Sequence, residues 1–198
     1  MTLQTSDPAA EAVLLKAYAR GDAKAAQALA LRYTPLVYAH ACRMLNDRAE
    51  AEDVAQDAML RLWKQAPHWD ADGGASVRTW LYRVTANLCI DRLRKGRPDG
   101  LSPDFDMADG APTAEAHLQD QARQSALEDA LMQLPDRQRQ AVVLRHIDGL
   151  GNTEIAQIMD IGPRAVESLT ARGKRALTDL LQGQRQTLGY TDDTVQTS

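Results

Sequence analysis

The chain has 198 residues, of which 44% are hydrophobic and 25% are charged. This length allows one globular unit or two small ones, and the composition excludes a fibrous or fully disordered protein. No apolar run approaches the roughly 20 residues that a membrane span needs, and residues 1–8 lack the basic start and apolar stretch of an export signal. We therefore expect a cytoplasmic protein without membrane insertion.

The formal net charge of −4 is unevenly distributed along the chain. Residues 9–97 contain 14 Lys and Arg against 10 Asp and Glu, whereas residues 98–122 contain six acidic residues and no basic one. Residues 123–182 are balanced, with eight charges of each sign. Within the first block, residues 78–97 hold six basic side chains against Asp91 alone. An acidic protein therefore carries one strongly basic segment.

The spacing of apolar residues predicts an all-α protein, because they recur at intervals of three and four and period-two alternation is absent. Asp7 followed by Pro8 is a favourable start for a first helix, and Pro35 is expected to kink or split the second. Four helices are predicted in the first block. The first ends near Arg20, and the other three span residues 23–45, about 47–65 and about 75–95.

Residues 96–112 are rich in Pro, Gly and Asp, and this composition is typical of a linker. The chain is thus predicted to form two small helical domains. In order, we expect a first domain over residues 9–97, an acidic flexible linker over 98–122, a second domain over 123–182 and a disordered tail over 183–198. The predicted helices of the second block cover residues 113–134, 135–147, 152–159 and about 163–181.

Cys42 and Cys89 are the only cysteines, and each lies within an apolar helical pattern. The four histidines are scattered and give no Cys/His spacing of the zinc kind. We expect two reduced, packed thiols, too buried to sense redox directly, with no metal and no cofactor. A disulfide or a metal site is the less favoured alternative.

Residues 151–170 have the spacing of a helix-turn-helix. Ala156 is small where two helices must cross, and Pro163 suits the first position of the second helix. Asp160, where this motif usually has Gly, must adopt a left-handed conformation. A helical hairpin without a nucleic-acid role is the alternative for this segment. The outward face of the second helix carries side chains suited to base edges and phosphates, namely Arg164, Glu167, Ser168, Arg172, Lys174 and Arg175.

Three further stretches, together with this motif, resemble the small two-domain sigma factors of the extracytoplasmic-function (ECF) type, in the sigma-70 family. They are AEAEDVAQDAMLRLW (49–63), SVRTWLYRVTANLCIDRLRK (76–95) and LPDRQRQAVVLRHIDGL (134–150), and they occur in the expected order. The resemblance covers about residues 10–181. It implies a sigma factor that binds core RNA polymerase and directs initiation at minus-35 and minus-10 promoter elements, and not an enzyme.

The resemblance implies that the helix carrying Asp53, Gln56 and Asp57 docks on core RNA polymerase. The charge pattern agrees, because five acidic residues face Arg48 alone over residues 47–57, a pattern that suits a basic partner. The alternative is a solvated helix start, since acidic side chains near a helix N-terminus also suit the helix dipole.

The same resemblance makes residues 76–95 the element that binds and opens minus-10 DNA. Trp80 aligns with an aromatic wedge at the upstream edge of the melted region, and Leu81 replaces the second Trp of primary sigma factors. Trp69 and Asp70 are candidates for a pocket that holds a flipped-out base. Core packing is the alternative for each Trp. Exposed side chains expected to reach phosphates or a base edge are Arg78, Arg83, Asn87 and Arg94.

The second helix of the helix-turn-helix is expected to read the minus-35 element, with Glu167 and Leu169 departing from the family's usual residues. The acidic linker would thread the polymerase, or would serve simply as a flexible tether. By resemblance, the partners are core RNA polymerase, promoter DNA and a separate anti-sigma factor, in a stress response. Because the net charge is negative, we expect specific DNA binding only in the holoenzyme.

Two other classes of protein are less favoured alternatives. A conventional helix-turn-helix regulator would have a ligand-sensing first domain, with an apolar pocket, and would bind a palindrome as a dimer. A carboxylate-metal hydrolase would need a paired His/Glu motif or an activated nucleophile, and the sequence provides neither.

Overall fold

The computed structural model describes residues 8–70, 75–95 and 115–182, and every regular element in these ranges is helical. The all-α prediction is confirmed. The first block contains α1 (Pro8–Ala19), α2 (Ala23–Leu45), α3 (Arg48–Gln65), a 3₁₀ turn (Ala66–His68) and α4 (Val77–Lys95). The second contains α5 (Glu115–Met132), α6 (Asp136–Val142), a π turn (Val143–Ile147), α7 (Asn152–Met159) and α8 (Pro163–Gln182).

Helices α1 to α4 surround one apolar core, to which each contributes residues spaced by three or four positions. Among the apolar residues at this spacing, Leu36, Trp63 and Val84 are only half-buried at the edge of this core. The others are fully buried: Leu29, Tyr33, Val37, Ala41, Met44, Val54, Met59, Leu62, Val77, Leu81 and Leu88. The periodicity therefore predicted the inward faces of these helices correctly.

Pro35 does not split α2, and that part of the prediction is wrong. The helix runs without a break from its cap at Asp22, whose carboxylate accepts a 2.8 Å hydrogen bond from the Lys24 N–H, to Asn46. Pro35 lies on the exposed side of α2, away from the buried row that includes Tyr33 and Val37. Packing along this row offsets the cost of about 3 kcal/mol that proline imposes inside a helix.

In the second block, α7 and α8 form the predicted helix-turn-helix. Asp160 ends α7 in the left-handed conformation, with φ 53° and ψ 53°, as the sequence predicted. Helix α8 then approaches α6 very closely at Gly173. A Cβ atom placed there would lie 2.6 Å from Val142 Cγ2 and 3.1 Å from the Gln138 carbonyl oxygen. Because Gly173 has no side chain, α8 can pack this closely against α6.

The two blocks contact each other. Helix α4 packs against α7, and α2 packs against α5, α6 and the π turn. Tyr82 and Ala86 of α4 belong to the same apolar cluster as Leu144 and Ile155 of the second block. In the described structure, the two domains therefore share buried surface.

Three sequence predictions meet the limits of the described residues. The predicted cap Asp7, residues 98–114 of the predicted linker and the tail 183–198 all lie outside them. Helix α5 begins at Glu115, so the last eight residues of the predicted linker are helical. No helix of the described ranges is both long and apolar enough to cross a membrane.

Candidate protein and nucleic-acid interfaces

The outer face of α3 presents Asp53, Gln56 and Asp57 to solvent. Asp47 has a structural role instead, because its carboxylate caps α3 by accepting a 3.0 Å hydrogen bond from the Glu50 N–H. Arg92 of α4 reaches the same face, donating to Glu50 at 2.8 Å and to Asp57 at 3.4 Å. Of the five acidic residues over 47–57, Asp47, Glu50 and Asp57 therefore already take part in contacts within the protein.

An open apolar groove of about 500 Å³ lies beside these acidic side chains, between α2 and α3. Gln56 lines the groove together with Tyr38, Met59 and Trp63. Leu60, at its border, keeps 49% of its surface exposed. An apolar surface with a polar rim, here Glu52 and Gln56, is typical of a site that binds another protein.

On α4, the side chains of Arg83, Asn87 and Arg94 are exposed, as expected. Their spacing of four and seven residues places them on one face of the helix. Trp80, three residues before Arg83, borders the same face. This face combines phosphate donors, an amide suited to a base edge and an aromatic ring.

Arg78 is not exposed in the described structure, so that part of the prediction is wrong, whereas its contact with phosphates stays a prediction. Its side chain is half-buried, and Nη2 donates a 2.9 Å hydrogen bond to the backbone carbonyl of Asp148. The guanidinium also lies over the Tyr82 ring, 5.6 Å from the centroid. Arg78 is five residues from Arg83, so it projects from another side of α4, which faces the second domain.

Trp69, the candidate for the base pocket, contacts Trp80, the candidate for the aromatic wedge. Trp69 and Trp80 meet edge to face, with ring centroids 6.0 Å apart and an interplanar angle of 82°. Both are half-buried against the core of the first domain. Asp70 is exposed beside them. Core packing explains part of each indole surface, and the remaining part is accessible.

All six predicted side chains of the recognition helix are exposed: Arg164, Glu167, Ser168, Arg172, Lys174 and Arg175. Val166, on the opposite side of α8, is fully buried and Leu169 is half-buried, which holds the helix on the domain. Glu167 accepts a 3.3 Å hydrogen bond from the Asn152 amide at the start of α7. The second helix of the motif therefore presents a continuous charged face.

A polar cluster that the sequence did not predict lies between the domains. The carboxylate of Asp148 bonds His40 Nδ1 at 2.7 Å and accepts from Arg43 Nη1 at 2.9 Å. His40 and Asp148 are both buried. Burial, with a further contribution from Asp148, raises the pKa of Tyr82 in the same cluster to about 12. The partners are separated by more than 100 residues, and no local pattern signals such a pairing.

The cysteines occupy the helical positions that the sequence indicated. Cys89 is buried in α4 and Cys42 is half-buried in α2, and both are free thiols. Burial raises the pKa of the Cys89 thiol to about 12. Among the residues that the structure describes, no group of three or more His, Cys, Asp or Glu side chains could hold a metal ion.

Comparison with protein families gives two matches. The family described as Sigma-70 region 2 matches residues 29–98, and Sigma-70, region 4 matches residues 124–177. The ECF RNA polymerase sigma factor SigW of Bacillus subtilis is 32% identical over 180 residues, covering 85% of this chain and 95% of SigW. The chain belongs to the ECF sigma factors of the sigma-70 family. It directs RNA polymerase to promoters to start transcription, and sigma factors are initiation factors and not enzymes.

Other relatives of this sigma factor agree. ECF RNA polymerase sigma factor SigM of Mycobacterium tuberculosis (strain ATCC 25618 / H37Rv) is 32% identical over 171 residues, covering 86% of this chain and 84% of SigM. The solved structure of CnrH with the cytosolic domain of CnrY matches with a TM-score of 0.66 and 25% identity, over 88% of this chain and 98% of that one. The ligand-sensing regulator is therefore not favoured.

The fold is also similar to that of the sigma factor RpoE of Bartonella quintana, solved in complex with the anti-sigma factor NepR. That match has a TM-score of 0.63 and 24% identity, and it covers 79% of this chain and 96% of the RpoE chain. It supports the two-domain helical fold.

Proposed function

We propose that this sigma factor docks on core RNA polymerase through α3, reads a minus-35 element with α8 and holds unpaired minus-10 DNA on α4. The observation that carries this assignment is the face of α8. Its six predicted contact residues are all exposed on the second helix of a helix-turn-helix, while Val166 anchors the opposite side. A helix held in this way can enter the major groove with its polar face forward.

The polymerase surface is supported by two neighbouring features of α3. Exposed Asp53 and Asp57 provide negative charge, which steers association with a basic partner, and exposed Gln56 adds an uncharged amide between them. The adjoining groove, lined by Gln56 and Leu60, provides apolar surface whose burial against a partner would favour binding. We therefore assign both the acidic side chains and the groove to one docking surface.

The minus-10 assignment rests on the shared face of Trp80, Arg83, Asn87 and Arg94 on α4. Arginine side chains in this arrangement can hold consecutive phosphates, and an aromatic ring can stack on an unpaired base. Trp69 and Asp70, next to Trp80, are assigned to the pocket for a flipped-out base. Arg78 is left out of this set as long as the two domains stay together.

Partners and location follow from the family. We propose that a separate anti-sigma factor holds this protein inactive, as the family resemblance and the match to CnrH bound to the cytosolic domain of CnrY suggest. We also propose that the protein works in the cytoplasm, where RNA polymerase acts, in a stress response. The predicted acidic linker would lie in the polymerase or tether the two domains.

Run-off transcription with purified core polymerase and a library of upstream regions tests the proposal. The full-length protein should produce promoter-specific transcripts that core polymerase alone does not. Replacing Asp53 and Asp57 together by Lys should abolish most of this signal by weakening polymerase binding, whereas Asp129→Lys, an exposed change on α5, should not. Equal loss in both variants would remove α3 from the docking surface, and silence of the wild-type holoenzyme on every template would overturn the function.

The holoenzyme requirement has its own measurement. With a net charge of −4, the isolated chain offers few surplus cations to phosphates. A mobility shift at physiological salt should show specific promoter binding for the holoenzyme and none for the free sigma factor. Strong specific binding by the free protein would contradict this part of the proposal.

A further inference from the structure

Asp148 lies at the centre of the contact between the two domains. Its side chain is 4% exposed, and its carboxylate bonds both His40 and Arg43 of α2. Its backbone carbonyl accepts the hydrogen bond from Arg78 of α4. We call these four residues, with Tyr82, the Asp148 cluster. A single residue of the second domain thus joins two helices of the first.

The local backbone explains why Asp148 can reach the first domain. The π turn Val143–Ile147 widens the end of α6, and the Asp148 N–H donates to the Val143 carbonyl at 2.9 Å. Gly149 then adopts a positive φ of 72°, which reverses the chain before Leu150 returns to the core. π turns of this kind are frequent at functional sites.

The apolar side of the Asp148 cluster closes the same contact. Tyr82 is buried against the second domain, and the His40 ring meets it edge to face at 5.2 Å. A buried carboxylate needs such partners, because removing it would leave the His40 and Arg43 side chains in the interface without their acceptor. The two domains therefore stabilise each other in this arrangement through both polar and apolar contacts.

We propose that the Asp148 cluster holds the free protein in a closed state, which withholds the Arg78 and Tyr82 side of α4 from DNA until the domains separate. The functional half of this inference rests on the assignment of α4 to minus-10 DNA, whereas the closure itself does not. Separation is sterically allowed, since the 19 residues between Lys95 and Glu115 have a covalent reach of roughly 60 Å.

Closure is tested by small-angle X-ray scattering of the full-length protein. Asp148→Ala should increase the radius of gyration, and Asp179→Ala, which removes one exposed acidic charge from α8, should leave it unchanged. Tryptophan emission must stay native, because all three Trp residues lie in the first domain and report on its folding. If Asp148→Ala does not fold, Arg43→Gln removes the same ion pair from the other side. A native-like variant with an unchanged radius would overturn the closed state.

The consequence for DNA is measured by fluorescence anisotropy with a labelled 30-nucleotide single-stranded DNA of mixed sequence. Asp148→Ala should bind several-fold more tightly than Asp179→Ala, which has the same net charge, and adding Arg78→Ala should remove most of that gain. If the radius increases but Arg78 contributes nothing, closure stands and its role in withholding Arg78 is refuted. An unchanged affinity in Asp148→Ala would likewise refute that role.

Discussion

Helices α4 and α8 both carry the cations predicted to contact promoter DNA, but the fold leaves them available to different degrees. On α8, Arg164, Arg172, Lys174 and Arg175 are all exposed. On α4, by contrast, Arg78 is bonded to the second domain and Arg92 to the acidic side chains of α3. Arg172 and Arg175 donate to backbone carbonyls of α8 itself, at 3.3 and 3.4 Å, and stay on the surface. Helix α4 lies between other helices and uses some of its cations in contacts with them.

The largest expected effect concerns the packing that holds α8 in place. Gly173→Ala should lower the free energy of unfolding by about 1–3 kcal/mol, because the new Cβ would overlap Val142 and the Gln138 carbonyl. Urea unfolding followed by circular dichroism measures the loss. A double-mutant cycle with Val142→Ala supplies the control, since the smaller side chain makes room. Strictly additive losses would show that this close approach does not limit the packing of α8.

On the exposed face of α8, Arg164 and Lys174 should behave differently. Arg164→Ala should cost on the order of 1–3 kcal/mol at a single base position of the minus-35 element, while Lys174→Ala should weaken all sequences similarly. Holoenzyme binding to matched and scrambled minus-35 duplexes separates the two outcomes. Equal losses on both duplexes for Arg164→Ala would remove that residue from base readout.

Helix α4 carries an exposed cation, Arg83, and a cation bonded to acidic side chains, Arg92, so the two kinds can be compared within one helix. Arg83→Ala should weaken holoenzyme binding to DNA regardless of sequence and reduce the salt dependence by about one phosphate contact. Arg92→Ala should leave that slope unchanged, because Arg92 is occupied by Glu50 and Asp57. If the two slopes shift equally, the distinction drawn from the structure does not describe the complex.

The smallest effect is expected for the reactivity of Cys89, on the buried face of α4. Burial raises the pKa of Cys89 from 9.0 to about 12, so its thiol stays protonated and should resist iodoacetamide in the folded protein at pH 8. Because the folded pKa is the higher one, this group favours the folded state fully below pH 9 and loses that contribution as the pH rises toward 12. Mass spectrometry of labelled peptides, with urea-unfolded protein as control, checks the reactivity. Rapid native labelling would contradict the burial.

Much of the fold could be predicted from local patterns. The bounds of the helices, the buried rows of α2 and α3 and the left-handed Asp160 all depend on residues within a few positions of each other. The ECF resemblance likewise came from contiguous motifs. The error at Pro35 has a different origin, because packing across the bundle outweighed a local preference.

The contacts between domains could not be predicted in this way. The family resemblance predicts an exposed Arg78 on the minus-10 helix, yet its partner Asp148 lies 70 residues away. His40 gave no signal at all, since it stands alone in an apolar pattern. The widened turn before Asp148 also has no recognisable sequence signature. Such pairings depend on the relative placement of whole helices.

The edge-to-face contact of Trp69 with Trp80 affects how a nucleotide would enter the proposed pocket. Each indole already shields part of its neighbour, so a base that enters the pocket would replace one contact between aromatic rings with another. This replacement would remove little additional aromatic surface from water. Discrimination among bases would then depend on ring geometry and on polar groups at the rim, such as Asp70, more than on the gain from dehydration.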